Sequence, residues 1–100
     1  MIRHICMFKL KNEFDGKSKV ENLSKTIELS QALRDIPSVI NFEVVTNCEG
    51  TPDNNYDLSL IIDVEDVESL NEYQKHPKHL EFGKFISEVR EGRACIDFEI

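Results

Sequence analysis

Alternation of polar and apolar residues opens the chain. From Ile2 to Leu10, the residues Ile2, His4, Cys6, Phe8 and Leu10 fall on one side, with Arg3, Ile5, Met7 and Lys9 on the other. That is the period of two expected of a β-strand. A polar break containing Asp15-Gly16 runs from Asn12 to Lys17. Ser18-Lys19-Val20-Glu21 then has the spacing of a capping box, in which the hydroxyl and the carboxylate each take an orphan N–H of a helix start. The predicted helix carries Val20, Leu23, Ile27, Leu29 and Leu33 over about half its circumference, with Glu21, Lys25, Glu28 and Asp35 mainly opposite. Pro37 ends it by pushing Ile36 out of the helical region.

Two strands follow, Val39 to Thr46 with Ile40, Phe42 and Val44 on one face, and Tyr56 to Val64 with Leu58, Leu60, Ile62 and Val64 alternating with polar residues. The turn-rich stretch Asn47 to Asn55 joins them as a long hairpin connection. Asp66 is placed to cap a short helix carrying Val67, Leu70 and Tyr73. Pro77 ends that helix and opens the next, which is expected to run to about Glu91 with Gly92 as its stop. Arg93 to Ile100 reads as a last strand. The order β-α-β-β-α(α)-β is the ferredoxin-like split β-α-β arrangement, an α+β fold with a four-stranded antiparallel sheet and helices on one face.

The face of that sheet away from the helices should be wet, yet it carries Ile5, Met7, Val39, Val45 and Ile61. Ile96 or Phe98 joins them from the last strand, whose phase the pattern leaves open. Apolar surface on the order of several hundred Å² is more than a monomer usually leaves in water, so a second copy laid sheet against sheet is expected.

One hundred residues suffice for one core and not for two. A net charge of −7 makes nucleic-acid backbones and anionic membranes poor partners. No apolar run approaches the ~18 residues of a membrane span, and the strand-like start shows no signal peptide, so a cytoplasmic location is expected. The odd count of Cys6, Cys48 and Cys95, without C-x-x-C spacing, is poor material for a disulfide framework or a zinc site. Cys6 and Cys95 read as small buried hydrophobes and Cys48 as a loop residue.

Titratable and aromatic residues concentrate between Tyr73 and Gly83. His79 and Ile86 lie only about 20° apart around a helix axis, so His79 shares the apolar stripe of Phe82 and Ile86. Tyr73 lies with Leu70 on the inner side of the preceding helix, and the Pro77 corner brings it towards His79. With His4, Cys6, Phe8, Phe42 and Leu60 from the sheet, these residues outline a small apolar pocket. An imidazole there can act as a general base, and a phenol can donate to a carbonyl or enolate oxygen. His79 is the expected base, Tyr73 the donor and His4 a positioning group. His76-x-x-His79 has no third ligand at a recognised spacing, so no metal is expected. No phosphate loop or nucleophile elbow is present, so no cofactor is expected either.

The opening Ile2-Arg3-His4-Ile5-Cys6-Met7-Phe8-Lys9-Leu10 resembles the start of the stress-responsive A/B barrel (Dabb) domain. So do Ile36-Pro37-Ser38-Val39, Tyr56-Asp57-Leu58, the Tyr73-x-x-His76-Pro77-x-His79 element and Ile96-Asp97-Phe98, over residues 2–98. The resemblance implies a dimeric α+β barrel, with links to stress responses and no single activity. A characterised relative, olivetolic acid cyclase, closes a polyketide by aldol condensation. Its catalytic Tyr and His fall on Tyr73 and His79, and a pocket His on His4. The resemblance thus implies either a small-molecule-binding protein or a cofactor-free enzyme acting on a carbonyl substrate.

Overall fold

In the computed structural model, which describes Met1–Ile100, the chain begins with β1 (Ile2–Leu10) and a two-residue hairpin of β2 (Glu13–Phe14) and β3 (Lys17–Ser18). It continues through α1 (Lys19–Ser30), a 3-10 turn (Gln31–Asp35), β4 (Asn41–Thr46) and β5 (Leu58–Val64). Two consecutive helices, α2 (Val67–Lys75) and α3 (Pro77–Val89), lead into β6 (Arg90–Glu99). The four long strands form one antiparallel sheet in the order β4-β5-β1-β6, the ferredoxin-like topology. No helix is long and apolar enough to cross a membrane.

Local chemistry explains the elements. Asp15 and Gly16 both take positive φ (54° and 73°), the geometry of a tight two-residue hairpin turn. The Ser18–Glu21 capping box is complete, with both reciprocal hydrogen bonds formed. The buried stripe of α1 is not the leucine and isoleucine row, however. Asn22, Thr26 and Ser30 are buried, Leu23, Ile27 and Leu29 are half-buried, and Val20 is exposed. The polar row can sit inside because it is satisfied locally. The Asn22 amide donates to the Phe14 and Lys17 carbonyls, and the Thr26 and Ser30 hydroxyls donate to carbonyls one turn back.

Several boundaries differ from the sequence expectation. Strand β4 starts at Asn41; Ile40 is half exposed at 52%, and Val39, just before the strand, packs partly against the core and borders a hollow shared with Ile5, Ile61 and Phe98 of the open face. Helix α3 stops at Val89, and Gly92 is a residue of β6 facing Lys9, not a helix stop. A Cβ at Gly92 would stand 3.2 Å from the Tyr56 hydroxyl, so the glycine admits that ring. Cys6 and Cys95 are facing residues of β1 and β6, 4.3 Å apart at Cα, and are joined as a disulfide. That corrects the expectation of two free buried thiols: Cys95 is exposed, and strand register, not spacing in sequence, pairs them. Cys48 is free and exposed.

The register also fixes the phase of β6. Ile96 faces Ile5 and Phe98 faces Arg3, so both join Ile5, Met7, Val45 and Ile61 on the face away from the helices. Ile96 is 60% exposed, and Met7, Val45 and Phe98 are each more than a third exposed. Amid this apolar surface the Arg3 guanidinium grips the Asp63 carboxylate in bidentate fashion at 2.8 and 3.0 Å, and Asn41 donates to the same carboxylate at 3.1 Å. The Arg3 hydrogen bonds, reinforced by Asn41, hold the Asp63 carboxyl below its ordinary 3.8 despite the opposing effect of burial. A depressed carboxyl contributes stability above its unfolded pKa and loses it as pH falls through the folded value. Denaturant midpoints should therefore be higher for wild type than for Asp63→Asn at neutral pH. The two should converge as pH drops below 3.8.

Candidate functional site

His76 makes the corner on which the site depends. The following proline holds it extended, at φ −63° and ψ 140°, so α2 must end there. Its Nδ1 accepts from the Lys78 N–H and its carbonyl from the Leu80 N–H, so the same residue starts α3. The corner turns Tyr73, near the end of α2, edge-on to His79 in the first turn of α3, with ring centroids 4.7 Å apart. His4, rising from β1 on the helix side, meets Tyr73 from below at 6.1 Å.

These three rings share a cavity of about 120 Å³ with Cys6, Phe8, Leu60, Phe82, Gly83, Ile86, Arg90 and Arg93. Phe42 is not among them. It lies on the far side of the sheet's helix face, where Arg34 stacks on its ring at 4.7 Å. The Tyr73 side chain is buried, its hydroxyl makes no hydrogen bond within the chain, and burial pushes its phenol above the ordinary range. It stays protonated and is available as a donor. Burial, with the nearby His4 next in importance, pulls His79 below its ordinary 6.5, so the ring is neutral at pH 7. A weak opposing pull comes from the Gln74 carbonyl, which stops short of a hydrogen bond, and the buried Nδ1 has no partner.

Sequence reasoning missed a carboxylate. Asp97 faces His4 across the β1–β6 ladder, and its Oδ1 lies 2.5 Å from His4 Nδ1. The carboxylate can only accept, so Nδ1 carries the proton, and in the neutral ring Nε2 is the lone-pair acceptor. Arg90 and Arg93 were also missed. A strict alternation in β6 would have exposed Asp97, had its phase been legible. The nitrogen of His4 and the sulfurs of Cys6 and Cys95 cluster within 4.8 Å, but sulfurs joined to each other are not thiolate ligands for a metal.

The sequence matches the Stress responsive A/B Barrel Domain family, Dabb, over residues 2–100. The chain belongs to this family. No curated protein is similar in sequence. Among solved structures, this Dabb chain is similar to a dimeric protein of unknown function with a ferredoxin-like fold from Bacteroides fragilis. The two are 28% identical with a TM-score of 0.79, over 99% of this chain and 95% of that one. A dimeric ferredoxin-like protein of unknown function from Thermobifida fusca shares the fold at 24% identity and a TM-score of 0.83, over 99% and 90% of the two chains. The hydroxynitrile lyase from Passiflora edulis shares it at 17% identity and a TM-score of 0.81, over 99% and 92%. The Dabb fold is therefore found both in dimeric proteins without assigned function and in an enzyme.

Proposed function

We propose that this Dabb protein is a two-fold homodimer whose subunits each bind a small carbonyl compound in the His4–Tyr73–His79 cavity and move a proton on it without a cofactor. The observation that carries the chemistry is the Asp97 carboxylate on Nδ1 of His4. It fixes the tautomer in which Nε2 can take a proton from the carbon next to a carbonyl. The C–H electron pair then moves into the C=C bond of an enolate, whose oxygen accepts from the Tyr73 hydroxyl. Return of the proton from Nε2 completes the exchange. His4 thus takes the role of base that the sequence suggested for His79, whose Nδ1 has no hydrogen-bond partner to fix its tautomer. The cavity volume admits a small molecule or the reacting end of a longer one, since whole-ligand sites are usually ~300 Å³ or more. The exposed row of Met7, Val45, Ile96 and Phe98, and the dimeric B. fragilis relative, support the sheet-to-sheet dimer.

The test is exchange of α-protons in D2O, followed by NMR, with small ketones and aldehydes. Wild type should accelerate exchange. Tyr73→Phe should slow it ~10²–10³-fold, the cost of losing one oxyanion donor. Its melting temperature should hardly move, because the hydroxyl bonds nothing in the chain. Carbonyl compounds that raise the melting temperature without any exchange would leave a binding protein and no catalyst.

A further inference from the structure

Arg90 and Arg93 are three residues apart on a strand, where alternation would send them to opposite faces. The ladder prevents this. Phe8 faces Arg93, Lys9 faces Gly92, and Leu10 faces Arg90, so Glu91 is the extra residue of a β-bulge. The skipped position turns both arginines to the helix side, and both line the cavity beside the three rings. They also line an outer polar cleft of about 400 Å³ with Ser87, Glu91 and Gly92, so both arginines border the inner cavity and the outer cleft. Neither makes an ion pair or a side-chain hydrogen bond, Glu91 in the same cleft included. In a chain with 19 acidic residues against 12 basic ones, two arginines without an ion partner thus border one cavity.

We infer that the carbonyl compound bound here is an anion, with its carbonyl end in the inner cavity and a carboxylate or phosphate ester held by Arg90 and Arg93 at the mouth. The planar donor fork of arginine matches either oxyanion, and two forks side by side favour an anion over a neutral ligand of equal size. The bulge is then a device for aiming, placing two positive charges at one opening. The carbonyl in this assignment rests on the proton-transfer reading; the anion site does not.

The test is calorimetric titration of the intact protein with acetoacetate, dihydroxyacetone phosphate and neutral butanone. The anions should bind at least about ten-fold more tightly than butanone, and added salt should weaken them alone. Arg90→Gln and Arg93→Gln should each cost about ten-fold or more in anion affinity, with melting temperature unchanged and Arg93→Lys intermediate. Preference between acetoacetate and dihydroxyacetone phosphate identifies which oxyanion fits. Equal affinity for butanone, or anion affinity indifferent to both glutamine variants, overturns the inference. Arginine-dependent binding without α-proton exchange would uphold it and sink the proton-transfer reading. Exchange of butanone, together with anion affinity untouched by either arginine variant, would do the reverse.

Discussion

Asp97→Asn should lower α-proton exchange ~10²–10⁴-fold, the range that a positioned general base contributes, while fold and assembly survive. The side chain is 41% exposed, so the substitution removes no deeply buried charge and keeps nearly the same shape. What changes is the proton's place. An amide can donate to Nδ1 of His4, which moves the imidazole proton to Nε2 and blocks that nitrogen as an acceptor. The comparison with His79→Gln decides which ring works. If His4 is the base, Asp97→Asn resembles His4→Gln in rate and differs from it in stability, since His4 is buried and Asp97 is not. If His79 were the base, Asp97→Asn would leave exchange nearly unchanged and His79→Gln would abolish it. A full rate in Asp97→Asn would remove the dyad from the mechanism.

What could be read from the sequence was whatever is settled within a few residues. The alternation of β1, the Ser18–Glu21 box and the His76-Pro77 corner depend on neighbours along the chain, and each formed as the pattern required. The inward placement of Tyr73 and His79 follows from helix periodicity and was legible for the same reason. The Asp97–His4 contact spans 93 positions and depends on how β6 pairs with β1. A one-residue slip would have sent Asp97 to the other face. The same pairing closes Cys6 on Cys95, and the bulge at Glu91 aims the two arginines; neither leaves a trace in composition or spacing. Phe42 was misplaced for a different reason. Its side of the sheet was read correctly, but β4 is an edge strand at the opposite end of the order from β6, and the cavity opens against β1 and β6. The polar row of α1 shows the limit of apolar counting, because Asn22, Thr26 and Ser30 sit inside once the nearby backbone meets their hydrogen bonds.

Ile96→Glu should turn the proposed dimer into a monomer at micromolar concentration, with a dissociation constant raised at least ~10³-fold. Ile96 sits on the edge strand β6 opposite Ile5, 60% exposed in the single chain, on the same apolar face as Met7 and Phe98. A two-fold contact repeats every substitution, so two carboxylates would be drawn out of water together, each at a cost of several kcal/mol unless paired. The cation nearest in the ladder, Arg3, is already committed to Asp63 by two hydrogen bonds and offers no easy partner. On the isolated chain the same substitution replaces an exposed apolar side chain with a charged one and should cost little. Sedimentation velocity separates the two effects: wild type should run at twice the 11.6 kDa chain mass, and the variant at the chain mass with its far-UV spectrum intact. Wild type sedimenting as a single chain would remove the dimer from the proposed function. The cavity, already formed by residues of the single chain, would still stand.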